Sequence, residues 1–475
     1  MFTKISNFFA NATWFKCIYF IFVLLSFNSL FALRSGLSYA SYAVALLGGL
    51  VVLFRLMHFK KYISVRGILW LVLFCGSYLL SAFLTRQYGL LENIQALVWM
   101  VIQFFVVYAY DTSKSTEDDK KEINILGWIF LGYTFIMAVA AIVMLVTDYN
   151  NYRPVGETAV ISGFLWNRLW GFYTDPNYGA VFSIVSMVLS VAFFKAVKKP
   201  LRVFVIVNIV LQILYLTFSD SRTALVALLV TVFAAVFLLA LRAKKFENKK
   251  AAVQVVISLA LALVFAVGSA VVIQGTQKSG NALKVLQYEY SVKHQGDATP
   301  EIPDTLIGRT DSDMNNDVSN RRFAIWQSGL EIFKTSPITG ITFRNYIPYA
   351  KENLPNTYIV HNDFGYFASM HNSFVDVFVS QGIVGILFIL CFIVSVLIVF
   401  FRYFFRATAE EYRYNTFLLL MFLPILVSML FYSETFYMNT GGAFLFWSFL
   451  GYLMHALNKS APQPKLLAKF TEAKR

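Results

Sequence analysis

The chain has 475 residues, of which 58% are hydrophobic, 17% aromatic and only 14% charged, against about 25% charged in soluble chains. That polar fraction is too small to cover a soluble fold of this size, which excludes a soluble enzyme, a nucleic-acid-binding protein and a disordered chain. The formal charge of +14, from 40 Lys and Arg against 26 Asp and Glu, must therefore be read by side of a membrane and not as a sign of nucleic acid.

At about 20 apolar residues per crossing, the sequence predicts an all-α polytopic membrane protein of about twelve transmembrane helices. The runs are 15–33, 38–55, 67–84, 91–110, 124–147, 178–197, 201–218, 223–241, 251–273, 382–401, 414–432 and 441–457. Helix is the expected form because lipid offers no partner to an unpaired backbone group. Trp14 to Leu33 reads as a retained first span and not as a cleaved signal. Cys17, Cys75 and Cys391 fall inside apolar runs, so neither a disulfide framework nor a cysteine metal site is expected. With the N-terminus placed in the cytoplasm, the inner segments hold 26 Lys and Arg. The short outer segments hold five, Arg34, Arg86, Arg153, Arg168 and Arg222. This asymmetry predicts cytoplasmic N- and C-termini, with the inner basic residues facing anionic membrane lipid.

The chain divides into residues 1–273 (nine spans), 274–381 (a large outer loop), 382–457 (three spans) and 458–475 (a basic cytoplasmic tail). Loops this long are uncommon unless functional. Residues 275–320 are polar and acidic, and are expected to be loosely packed. Phe323, Ile325, Trp326, Leu330 and Phe333 then repeat near helical spacing, with Ser319 or Asn320 as a cap. Thr335 to Gly340 ends that helix. His371 to Gln381 reads as a half-helix entering the tenth span, with Asn372 or Ser373 near its start.

No charged residue falls near the middle of a predicted span, which argues against an ion-coupled carrier. What stands out is a set of outer arginines, Arg153, Arg168, Arg222, Arg321, Arg322 and Arg344, together with His361 and His371. Arg168, between Trp166 and Trp170, is either an interfacial anchor or an anion clamp, since guanidinium binds phosphate as a two-pronged fork and stays charged. Arg222 either pairs with Asp220 or serves the same purpose. Arg321 and Arg322 are adjacent, so only one of them shares a helix face with the site. His371 opens a half-helix, and both nearby arginines and a helix N-terminus favour its neutral form, which suits a base for a hydroxyl. His58 and His455 sit at inner helix ends and read as structural, and His294 as solvated. Asp311 and Asp313 begin a calcium-loop-like run, but Asn316 and Arg322 replace its glycine and closing glutamate. No metal site or cofactor is expected.

In order along the chain come Arg168-Leu-Trp-Gly171 with Asp175-Pro-Asn177, and then Ser221-Arg-Thr-Ala224. Arg321-Arg-Phe-Ala-Ile-Trp326 with Pro337-Ile-Thr-Gly340 follows, and finally His371-Asn-Ser-Phe374 with Gly382-Ile-Val-Gly385. This series resembles the O-antigen ligase and polymerase superfamily of bacterial membrane glycosyltransferases. The resemblance implies a C-type glycosyltransferase-like bundle in the cytoplasmic membrane, an outward-facing site and a donor glycan on undecaprenyl diphosphate, with no cofactor. It also implies His371 as general base and Arg168, Arg222 and Arg321 or Arg322 as diphosphate ligands. Asp175, Asn177, Asn372, Asp376 and Glu434 stand as supporting residues. A cell-surface polysaccharide polymerase (O-antigen, capsule or exopolysaccharide type) is the favoured reading, working beside a chain-length regulator and a flippase. A ligase that transfers finished glycan to a lipid or other acceptor is the alternative. A peptidoglycan polymerase would be expected to use a loop carboxylate, and a twelve-span transporter or lipid-glycan flippase is the rival from another class.

Overall fold

The computed structural model describes residues 2–32, 34–155, 158–246, 248–295, 306–308 and 321–459, and the statements below concern these. Asp311, Asp313, the caps expected at Ser319 and Asn320, and all of the basic tail beyond Lys459 lie outside them. The described chain is mostly helical. Helices α1 (Phe2–Ala10), α2 (Thr13–Ser26), α3 (Ser35–Met57), α4 (Ile68–Leu84) and α5 (Leu90–Ile102) come first. They are followed by α6 (Thr116–Val146), α7 (Pro176–Phe194), α8 (Lys199–Phe218), α9 (Arg222–Leu241) and α10 (Ala251–Gln295). The last five are α11 (Arg322–Thr335), α12 (Tyr346–Asn353), α13 (Ser373–Tyr403), α14 (Ala409–Ser428) and α15 (Gly441–Lys459). Among the described residues, eight helices are long and apolar enough to cross a membrane. Each of the twelve predicted runs overlaps a helix.

Helix α15 is buried on nearly every face, with Phe444, Trp447 and Tyr452 inside the molecule, as a helix apolar all round must be when it is surrounded by protein. Small polar side chains bind α6, α7 and α8 to one another. Thr134 meets Ser186 at 2.8 Å, Asn208 donates to Ser186 and Ser190 at 3.0 Å, and Gln212 donates to the Thr134 carbonyl. Such bonds hold helices together where no hydrophobic gain is available. At the end of the bundle away from the arginine set, Lys16 pairs with Glu122 at 2.7 Å and His455 with Asp119 at 2.6 Å. Gln103–Tyr108 continue α5 as a π-helix, and Arg55 donates to the carbonyls of Phe105, Val106 and Ala109.

Two local features depart from the sequence expectation, and a third shows how the half-helix expected over His371 to Gln381 enters the tenth run. The fold is not purely helical. Asn150–Val155 (β1), Thr158–Leu165 (β2) and Arg168–Gly171 (β3) form an antiparallel sheet of order β1-β2-β3. Trp166 and Asn167, both with positive φ (54° and 56°), make the two-residue turn between β2 and β3, the geometry that matches strand twist. Gly163 supplies a bulge where an added Cβ would lie 2.0 Å from the Tyr149 carbonyl oxygen.

Second, α10 does not stop at Ile273 but runs on to Gln295. The segment is too polar to register as a span, yet it contains no proline. Gln277, Asn281, Lys284 and Gln287 form one stripe at helical spacing. They bond to Asp220, to the backbone of Leu306 and Ile307, and to the carbonyls of Leu145 and Val146. Polar side chains that satisfy neighbouring turns replace the apolar face a sequence reading looks for.

Third, α13 is broken at Gly382 (φ 60°, ψ −154°). The helical bonds due between residues 379 and 383 and between 380 and 384 are replaced by bonds to a neighbouring segment. Ile341 and Thr342 donate to the carbonyls of Val379 and Ser380, while Ile383 and Val384 donate to those of Pro337 and Ile338. The two glycine motifs of the sequence therefore clasp each other. A Cβ on Gly340 would lie 2.4 Å from the Gln381 nitrogen, and one on Gly382 2.5 Å from the Ile338 oxygen.

Candidate functional site

The hairpin presents Arg168. Its Nε donates to the Ser219 carbonyl at 2.8 Å and its Nη2 to Asn177 Oδ1 at 3.0 Å. Asp175 caps α7, its Oδ1 accepting from the Asn177 backbone at 2.7 Å and from the Asn177 side chain at 2.8 Å. Arg168, Asn177 and Asp175 thus form a relay that fixes the guanidinium. Burial raises the Asp175 pKa, and the charges of Arg168 and Arg322 oppose it. Arg222 is the first residue of α9, where the Ser221 side chain caps Ala224.

His371 sits at the entrance to α13 with φ 49°, a left-handed conformation that few non-glycine residues hold. Its neighbours over-determine it. Trp326 Nε1 donates to the Met370 carbonyl at 3.0 Å, and the Met370 nitrogen to Asp376 Oδ1 at 2.9 Å. Asn372 caps Phe374 and Val375 and donates to the Leu430 carbonyl at 3.0 Å. Asp376 and Asn372 therefore set the backbone on either side of the imidazole. Burial first, and the Arg322 charge second, lower the His371 pKa to about 4. The imidazole is neutral at pH 7, the form able to accept a proton.

The adjacent arginines diverge. Arg321, with φ 66°, lays its guanidinium 3.1 Å from the ring centre of exposed Phe364. Arg322 instead lies 5.6 Å from the rings of Phe431 and Tyr432, and its Nε donates to the Phe431 carbonyl at 3.4 Å. Arg322, not Arg321, faces His371. The structure gathers Arg168, Arg322, Asp175, Asn177 and His371 at one end of the bundle. Arg153 lies on the exposed β1 strand, and Arg344 and His361 are also exposed.

Sequence reasoning missed Tyr432. Its ring is 5.1 Å from Tyr178 and 6.5 Å from His371, and its hydroxyl meets the Thr223 side chain. It is acted on by Asp175, Arg322 and Arg168 alike. Phe431-Tyr-Ser-Glu434 follows an apolar run, and nothing in that order announces which aromatic turns inward. Glu434 does not contact His371. Its nitrogen donates to Ser373 Oγ at 3.0 Å, its Oε2 accepts from Ser428 at 2.7 Å, and its carboxyl packs on Gly442. Burial pushes its pKa up to about 8. Among the described residues, no group of three His, Cys, Asp or Glu is placed to hold a metal ion.

A bundle of helices long and apolar enough to cross a membrane, with fixed guanidinium groups and a neutral imidazole at one end, defines the class, a multi-pass membrane protein. The family model described as O-Antigen ligase matches residues 207–390, less than half of the chain, and over that segment the chain is similar to the O-antigen ligase superfamily. The matched segment contains Arg222, Arg321, Arg322 and His371, while Arg168, Asp175 and Tyr432 lie outside it. No curated protein matches the chain.

Proposed function

We propose that this protein polymerises a cell-surface polysaccharide at the outer face of the bacterial cytoplasmic membrane, using a glycan carried on undecaprenyl diphosphate as donor. Twelve spans with both termini in the cytoplasm would put the site at that face. The observation that carries the reading is the meeting of His371 with Arg322 and, through Asp175 and Tyr432, with Arg168.

His371 takes the proton of an acceptor hydroxyl, whose oxygen attacks the anomeric carbon of the donor. The bond from that carbon to the diphosphate oxygen breaks, and undecaprenyl diphosphate leaves with the electron pair. Arg168, Arg322 and Arg222 stabilise the departing charge, as preorganised cations do most effectively away from bulk water. An imidazole with a pKa near 4 is a weak base until the donor binds. The donor's diphosphate, set among the same arginines, raises it by favouring the imidazolium.

The test is the purified protein in liposomes supplied with undecaprenyl-diphosphate glycan. Free undecaprenyl diphosphate should appear as chains lengthen, and His371→Ala should abolish its release. Product on a separate lipid acceptor without chain growth would make the protein a ligase. Transfer undiminished in His371→Ala would refute the assignment. Because guanidinium supplies the positive charge, activity should persist in EDTA; a requirement for added Mg²⁺ would refute that part.

A further inference from the structure

A cavity adjoins the hairpin that carries Arg168. It has a volume of about 210 Å³ and lies between the β2–β3 turn and the extended end of α10, lined by Asp148, Phe164, Asn167, Lys284, Gln287 and Tyr288. That volume is below the roughly 300–1,000 Å³ of sites that enclose drug-sized ligands, and suits a single ring. Lys284, itself buried, forms an ion pair with Asp148 and donates to the Leu145 carbonyl at 2.8 Å. The lining therefore carries no net charge, and it favours a neutral polar ligand over a phosphate.

Besides that ion pair, the lining consists of the rings of Phe164 and Tyr288, the Tyr288 hydroxyl, the Leu306 side chain and the amides of Asn167 and Gln287, the last of which also donates to the Val146 carbonyl. A pyranose has an apolar face that packs on a ring and a rim of hydroxyls that both donate and accept. Amides and carboxylates meet such a rim in pairs, because each offers several donor or acceptor sites in one plane. The turn links the two places. Asn167 lines the cavity, while the next residue, Arg168, points to Asn177.

We propose that this cavity is a saccharide subsite, holding one neutral pyranose of the glycan whose diphosphate is bound at Arg168. The inference rests on the function proposed above. A sugar held there would keep the donor from swinging about its diphosphate and would let the enzyme distinguish one repeat unit from another.

The experiment uses the full chain in lipid nanodiscs with two probes: undecaprenyl diphosphate without sugar, and the lipid-linked glycan isolated from the cells that make it. Tyr288→Ala removes a ring, and Gln287→Trp fills the cavity from its rim at the loss of one bond to the Val146 carbonyl. Both should raise KM for the glycan donor at least tenfold, more than they lower kcat, and leave affinity for bare undecaprenyl diphosphate unchanged. An unchanged KM in both variants, with bare lipid diphosphate still bound, overturns the subsite alone. Equal weakening of both probes also overturns it, since the cavity would then act through Arg168. Failure of the unaltered protein to bind bare lipid diphosphate overturns the donor reading and the subsite with it.

Discussion

Replacing Arg322 by glutamine removes the cation that acts on His371 and leaves the imidazole's burial in place. In the intact site the ring pKa falls from an ordinary value of about 6.5 to about 4. A shift of that size corresponds to about 3 kcal/mol between the two protonation states, at 1.36 kcal/mol per unit. Burial is the larger cause and Arg322 the smaller, so the variant should recover less than half of the displacement. The measurement is a ¹³C titration of the His371 ring in detergent, with the other four histidines replaced. The acidic limb of kcat/KM, which reports the free enzyme, should likewise fall below pH 5 in the unaltered protein. The limb of kcat should lie at higher pH, because bound diphosphate favours the imidazolium. The sign extends to stability. Between pH 6.5 and 4 the unfolded chain binds this proton and the folded one does not, so this residue costs stability as pH falls through that window. A ring that titrates near 6.5 in the unaltered protein, or one indifferent to Arg322→Gln, would refute the reasoning.

Three other outcomes follow from the same geometry. Arg322→Gln should lower kcat/KM for the lipid-linked donor by about 10²–10³, the cost of losing one preorganised group at a developing charge, whereas Arg321→Gln, whose guanidinium lies on Phe364, should change it less than about fivefold. Gly382→Ala forces a glycine-only conformation and a close approach to the Ile338 carbonyl. It should cost at least about 1–3 kcal/mol, read as a lowered Tm in detergent, while Gly49→Ala, which has open space around it, should cost nothing. Glu434 keeps its proton in the fold up to a pKa of about 8, and the unfolded chain loses it near 4.3. Folding stability from this group therefore drains away as pH rises between those values. Glu434→Gln should raise Tm at pH 8 and leave it unchanged at pH 5; a rise at both would point to packing instead.

The apolar runs were legible along the chain because a helix in lipid must be apolar over its whole length, and that demand leaves a local record in composition. His371 and the arginines were legible as candidates because short polar segments between such runs contain few groups able to do chemistry. The choice between Arg321 and Arg322 was not, since it turns on one left-handed residue and on which aromatic ring, Phe364 or Tyr432, lies in reach of each guanidinium. Tyr432 was invisible for a related reason: its partners come from three separate outer segments, and no pattern within one segment records them.

Residues 274–295 show the opposite limit. Their side chains satisfy turns from other parts of the molecule, so the helix is stabilised by tertiary contacts with no amphipathic face to betray it. The glycine motifs at 340 and 382 could be seen as motifs, but their purpose could not, because the hydrogen bonds they exchange join residues some forty positions apart. Sequence alone determined a helical membrane bundle and the chemical types present at its ends, since partition into lipid acts residue by residue. Tertiary structure alone decided which cation stands beside the imidazole, because electrostatic action at a few ångströms depends on how distant segments pack.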